Sequence, residues 1–283
     1  MPPATEPKQI SRNYAWIDRE YGREKWPTMV RIIQEVVAEE GNTPSLARVL
    51  ARSRQAQIGS LEHPADQSDV VFDGTKVRIP LGAAFGAFDR WIEWTVSDYC
   101  RAHQAKLVLE LGSGWGQNIL GLAAGAGPAD RSYVGAEYTR AGRDATDLLA
   151  SLDPDSPVGS LQFDYHRPDL AALRGPGPVV VFTSHSVEQI SQLSEAVLDE
   201  IISLAPDVTC VHFEPVGWQF GPSRGSSETY GRQHDYNLNL ADLLDRYQRQ
   251  NRLAIEKLAI DVIGINPANS TSVIVWRSTP QPR

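Results

Sequence analysis

The sequence predicts an α/β protein: a doubly wound, mostly parallel sheet of seven strands, preceded by an N-terminal helical extension and a β-hairpin. Three observations carry this expectation. From residue 106 onward short apolar runs alternate with helical patterns, as βαβ units do. One run, Leu107–Leu111, is nearly all apolar, which suits a strand buried on both faces, and it passes at once into Gly112-Ser-Gly-Trp-Gly116 and then a helical pattern from Asn118. Strand, glycine turn and helix together let a backbone approach a nucleotide and aim helix N–H groups at it. Finally, acids stand at or near the ends of three successive strands, at Glu110, Glu137 and Asp164.

Composition bounds the rest. Of 283 residues, 41% are hydrophobic and 22% charged, ordinary for a globular chain able to bury a substantial core. The net charge of −8, with no basic run, disfavours nucleic acid as a partner, since its backbone is gripped by clustered Lys and Arg. Cys100 and Cys210 lack metal-site or disulfide spacing and read as buried thiols. No acidic cluster has metal-ligand spacing, so no metal site is expected. The N-terminus carries no apolar leader and no 18-residue apolar run occurs, so no membrane partner and a cytoplasmic location are expected. A homodimer is left open.

Taken in order, residues 1–10 are polar and proline-rich. Pro27 suits a first helical turn, and Met29, Ile32, Ile33, Val36 and Val37 form an apolar stripe stopped by Gly41. Thr43-Pro44 reads as the start of another helix carrying Leu46, Val49 and Leu50. These helices either brace the core or cap a substrate pocket. Residues 69–80 read as a hairpin turning at Asp73-Gly74. The division expected is 1–80 as helical cap and hairpin, and 81–283 as the nucleotide-binding domain. Leu81–Gly86 reads as a glycine-rich turn, feeding an amphipathic helix with Phe88, Ile92, Val96 and Tyr99 on one face. Strands are expected at 106–111, 132–137, 160–163, 178–183, 208–213, 254–263 and 271–277, with helices near 117–125, 140–152, 188–203 and 238–250. Residues 219–236 show no periodicity and read as a functional loop. In such sheets ligands sit beyond the carboxyl ends of the strands.

The glycine spacing indicates which nucleotide. A dinucleotide fingerprint needs glycine at its first, third and sixth positions. Counting from Gly112 the sixth is Gln117, and from Gly114 it is Ile119. Both registers fail. Glu110-Leu-Gly-Ser-Gly-Trp-Gly116 instead resembles motif I of the class I (Rossmann-like) S-adenosylmethionine-dependent methyltransferases, of small-molecule type. The resemblance runs from about residue 84 to the C-terminus. It implies a seven-stranded sheet ending in an antiparallel pair, and S-adenosylmethionine as cofactor held by Glu110, Gly112, Ser113, Gly114 and Gly116. It places Glu137 on the ribose hydroxyls, Asp164 on the adenine amino group, and Tyr165 over the ring. Ser184, in the loop after the fourth strand between methyl donor and acceptor, completes the cofactor-binding residues that the resemblance implies.

In that loop His185 could take a proton, because imidazole titrates near neutral pH. Glu188 either joins it or serves a helix start, in a Ser186-x-x-Gln189 capping pattern. Glu214, an acid at a buried strand end, needs a partner: a substrate cation, or an arginine such as Arg224 or Arg232. His212, inside the same strand, reads as a core histidine. His185, Glu188 and Glu214 are therefore the candidate catalytic residues. His234, Tyr236 and Asn237 are candidate substrate contacts, with Asp235 or Asn237 alternatively capping a helix. The Asn/Asp-Pro-Pro-Tyr signature of nucleobase and glutamine methyltransferases is absent after the fourth strand, as is the paired-Glu sequence of protein arginine methyltransferases. These residues point to methyl transfer onto a small polar metabolite, with an amine or guanidine favoured by Glu188 and Glu214, and a hydroxyl served by His185 as the alternative. A nicotinamide-dependent oxidoreductase and a non-catalytic protein of the same fold are the rival classes.

Overall fold

The structure, a computed structural model, describes residues 14–279 except 43, 62, 64, 127–130 and 222–226. Thr43 and Arg224 therefore lie outside the described residues. The chain enters through a helical run: α1 (Tyr14–Ile17), a π-helical segment (Asp18–Lys25) and α2 (Trp26–Glu40). Pro27, which has no N–H to donate, stands where the π segment passes into α2. Gly41 then ends α2 with φ +76°. α3 (Leu46–Leu61) follows.

The hairpin β1 (Gln67–Phe72) and β2 (Thr75–Pro80) turns through Asp73 and Gly74, both at positive φ, as a tight turn between twisted strands requires. α4 (Leu81–Ala102) begins at once, so the glycine-rich turn expected at 81–86 is helical. Gly82 and Gly86 only weaken a helix, and buried Leu81 and Ala84 already continue the apolar stripe of Phe88, Ile92, Val96 and Cys100. Alternation then runs through β3 (Leu107–Leu111), α5 (Gln117–Ala126), β4 (Ser132–Glu137), α6 (Arg140–Ala150), β5 (Val158–Gln162), β6 (Val179–Ser184), α7 (Glu195–Ile202) and β7 (Val208–Glu214). α8 (Ser227–Gln233) lies inside the stretch expected to be irregular. α9 (Leu240–Arg249), β8 (Leu253–Gly264) and β9 (Thr271–Ser278) close the chain.

Among the described residues nine strands form one sheet, ordered β2-β1-β8-β9-β7-β6-β3-β4-β5. The expected count of seven is corrected to nine. The hairpin does not stand apart; β1 pairs antiparallel with β8 through Val71↔Gly264 and Phe72↔Ile263. Strands β3 to β7 are parallel to their neighbours among themselves, and β9 and β8 run antiparallel. Successive strand residues alternate between two helical layers. Val108, Phe182 and Phe213 join the layer of α2 to α6, while Leu109, Val181 and Ile274 join that of α7 and α9. The strand order reverses between β3 and β6, whose connections leave in opposite directions, and a crevice opens there at the carboxyl ends. No helix among the described residues is long and apolar enough to cross a membrane.

Candidate active site

A cavity of about 340 Å³ occupies that crevice. Its floor is the turn after β3. Gly112 has φ +72°, and a Cβ there would lie 2.4 Å from Ser186 Cβ. Gly114 has φ +57°, and a Cβ there would lie 2.8 Å from the Trp26 ring. A side chain at either position is barred by both conformation and space. Gly116 stands at φ +82° where α5 begins.

Two acids reach this floor. Glu137 is buried; Oε1 accepts from the Thr139 amide (2.8 Å) and hydroxyl (2.7 Å), and Oε2 accepts from Gly114 N–H (3.1 Å). A carboxylate has about four acceptor positions, so about one remains for a ligand hydroxyl. Burial raises its pKa against those hydrogen bonds. Glu110 accepts from Asn118 Nδ2 at 2.7 Å through Oε1, while Oε2 is buried without a hydrogen-bond partner among the described residues. Burial pushes its pKa up to about 8. Ser113 Oγ is likewise buried and unpartnered. Unpaired buried polar atoms each cost about 1–3 kcal/mol, a cost a ligand's polar groups can relieve.

The opposite wall is the turn after β6. His185 takes φ +52° and lines the cavity, with 31% of its side chain exposed. Nδ1 meets Glu188 Oε2 at 3.0 Å and Nε2 meets Thr271 Oγ1 at 2.7 Å. The Phe88 ring lies edge-on, 5.6 Å between centroids. Burial works against the imidazolium, yet the Glu188 carboxylate beside it prevails and its pKa stands above the ordinary value. Glu188 Oε1 also accepts from Gln189 Nε2 at 2.7 Å. Its role at a helix start is corrected: residues 187–189 form a single 3₁₀ turn without a side-chain cap, and α7 starts later, capped by Ser194 Oγ. Ser184 lines the cavity beside His185.

Other assignments change with the geometry. Glu214 is wholly buried and outside the cavity lining; it accepts the backbone N–H groups of Ser186, Val187 and Glu188, each at 3.1 Å. No arginine among the described residues is its partner, and Arg232 pairs with Glu228 instead. Burial and the neighbouring Glu188 raise its pKa to about 7. Asp164 is not in the lining: Oδ2 accepts from the Tyr14 hydroxyl (2.8 Å) and Oδ1 from His166 N–H (2.8 Å). Tyr165 does line the cavity, with its hydroxyl held by Leu111 O (3.1 Å) and Ser186 Oγ (2.9 Å).

His234, Tyr236 and Asn237 lie outside the lining. His234 stacks on Tyr230 at 3.9 Å between centroids and donates from Nδ1 to its carbonyl. Tyr236 is buried. Asn237 is wholly buried, accepts from Asn239 and Leu240 N–H, and donates to Ile190 O, so it holds the start of α9 against the 187–190 turn. His212 is the core histidine expected: Trp276 Nε1 donates to its Nε2 at 2.9 Å, Nδ1 meets Thr183 Oγ1 at 3.0 Å, and burial lowers its pKa to about 3.

Sequence reasoning did not single out Trp26, Arg54, Gln57, Asp89 or Trp115, all of which line the cavity. Trp115, inside the glycine turn, was the one with a legible position. The others belong to helices whose approach to the crevice no local pattern announces.

A nine-stranded α/β sheet with a glycine turn at its switch point and a carboxylate on the neighbouring strand defines a Rossmann-like fold. No protein-family model matches the chain, and no curated protein matches it. Among solved structures, magnesium protoporphyrin IX methyltransferase (ChlM) from Synechocystis PCC 6803 with bound SAH aligns over 94% of this chain and 100% of its own, at 10% identity and a TM-score of 0.50. The N-terminal domain of EvdMO1 with SAH bound aligns over 67% of this chain and 81% of its own, at 14% identity and 0.46. The CcbJ methyltransferase from Streptomyces caelestis aligns over 66% and 89%, at 15% identity and 0.45. The near full-length match to the first shows that this chain has the class I methyltransferase fold.

Proposed function

We propose that the chain is an S-adenosylmethionine-dependent methyltransferase acting on a small polar metabolite, and that the acceptor atom is a hydroxyl oxygen deprotonated by His185. One observation carries the reading: the His185–Glu188 pair and the glycine floor with Glu110 and Glu137 face a single cavity. The residues present fit the cofactor. Side chains are barred at Gly112 and Gly114, Glu137 keeps an acceptor position for a sugar hydroxyl, and Glu110 and Ser113 bury polar atoms that lack partners among the described residues. Bound there, S-adenosylmethionine supplies an electrophilic methyl group on a sulfonium.

The chain's own contribution is to align the acceptor and take its proton. With Nδ1–H donated to Glu188, Nε2 is the basic nitrogen and accepts from the Thr271 hydroxyl. An acceptor hydroxyl replacing Thr271 at Nε2 would pass its proton to the imidazole, and Glu188 stabilises the imidazolium that results. The preference for a cationic acceptor weakens because Glu214 is engaged with backbone. Calorimetric titration with S-adenosylhomocysteine, with NADH in parallel, tests the cofactor. About micromolar binding of the first and none of the second is expected. Binding of NADH alone would sink the reading.

A further inference from the structure

The geometry points to Arg54 as a docking site for a ligand carboxylate in the cavity wall. Arg54, on α3, is the one Arg or Lys among the described residues lining the cavity. It is held from three sides. Asp89 of α4 takes its Nε and Nη2 hydrogens at 2.9 and 2.8 Å, Gln57 takes one from Nη1 at 2.7 Å, and the Phe85 ring lies 4.9 Å from the guanidinium carbon. The pair is largely sheltered, with 17% and 18% of the two side chains exposed. A guanidinium has five N–H donors, so two remain, one on each terminal nitrogen. Guanidinium N–H groups are strong donors to carboxylate oxygens, and fixing them beforehand removes the rotamer entropy that a surface arginine loses on binding. The position suits a reacting ligand, because Asp89 follows Phe88, whose ring packs on His185.

Two ligands of the proposed reaction could bring the carboxylate: the acceptor, or the amino-acid end of the cofactor. The assignment rests on the methyltransferase reading for that choice, not for the carboxylate chemistry. Calorimetry on the intact chain tests it in two arms. The first titrates S-adenosylhomocysteine and 5′-methylthioadenosine, which lacks the amino-acid end, into wild type and Arg54→Gln. The second titrates hydroxybenzoates and their carboxamides into both proteins, with and without saturating S-adenosylhomocysteine.

In one arm Arg54→Gln is expected to weaken the carboxylate ligand about tenfold or more while its carboxylate-free counterpart stays within about twofold. A loss in the first arm assigns the carboxylate to the cofactor, and a loss in the second assigns it to the acceptor. If wild type shows no carboxylate preference in either arm, or Arg54→Gln keeps the preference, the assignment is overturned. Failure of both adenosine ligands to bind wild type would overturn the methyltransferase reading and leave the benzoate arm to judge Arg54. Arg54→Lys, which keeps the charge and loses the fork, should retain only part of the preference and serves if the glutamine variant does not fold.

Discussion

His185 is a non-glycine residue in the left-handed region, a conformation costing about 1–3 kcal/mol that persists where surrounding structure compels it. Here Phe213 O accepts its backbone N–H, and Glu188 and Thr271 hold the ring. His185→Ala is expected to lower kcat by about 10²–10⁴-fold with S-adenosylhomocysteine affinity little changed. Normal turnover in that variant would exclude it as base. A base works when deprotonated, so activity should fall as pH drops through the His185 pKa, which Glu188 holds above the ordinary value. Glu188→Gln removes that charge and should move the acid limb of the rate profile to lower pH; an unmoved limb would separate the two residues. At the cavity floor, Gly112→Ala meets Ser186 at 2.4 Å in a backbone region that alanine disfavours. It should lower stability by about 1–3 kcal/mol and abolish S-adenosylhomocysteine binding, read by thermal denaturation and calorimetry. The glycines were legible in sequence because their role is backbone conformation, which a local motif encodes. The partners of Glu214 were not, because they are amide groups of residues 186–188, brought close by the pairing of β6 with β7.

That pairing makes the turn after β6 an element with its own anchor. Three successive N–H groups converge on the Glu214 carboxylate, and Asn237 N–H donates to the Glu188 carbonyl from the other side. Glu214→Gln replaces one acceptor oxygen with an NH₂ group facing a backbone donor. It should lower stability by about 1–3 kcal/mol and reduce kcat more than it weakens S-adenosylhomocysteine. A raised acceptor KM with unchanged thermal stability would instead put Glu214 in contact with the acceptor. The apparent capping pattern at Ser186-x-x-Gln189 gives way to the same anchor. The residue types suit a helix start, but the Ser186 N–H that Gln189 would take already belongs to Glu214, and the Gln189 N–H that Ser186 Oγ would take is held by the Ser186 carbonyl. Likewise Asn237 lies in a polar cluster that reads as a binding loop, yet each of its amide groups holds the start of α9 or the turn beside it.

Across the whole molecule, burial of acids leaves a signature in pH. Glu110 and Glu214 have folded pKa values of about 8 and about 7, above their ordinary carboxylate value, so the folded state holds protons that the unfolded state releases. The stability this gives is present at low pH and is lost as pH rises through those folded values, by at most about 1.4 kcal/mol per pH unit for each group. The melting temperature should therefore decline between about pH 5 and 8, and Glu110→Gln should flatten part of that decline. Parallel curves for variant and wild type would refute the assignment to Glu110. The N-terminal helices belong to this scale too. Trp26 covers Gly114, and Arg54 reaches the wall from α3, so the cavity is lined in part by residues some 60–90 positions before the glycine turn in the chain.

The sequence by itself determined the alternation of strand and helix, the glycine turn and the acids at strand ends. These depend on local periodicity, on backbone regions open to glycine, and on the rule that parallel strands place their loops at one end. Only the tertiary structure decided that the hairpin extends the sheet, that Glu214 and Asn237 hold backbone groups, and that Arg54 and Asp89 meet in the cavity wall. Each of those outcomes depends on which distant groups compete for one buried hydrogen bond or charge. That competition is settled by packing, where an unpaired polar group costs more than any local preference contributes.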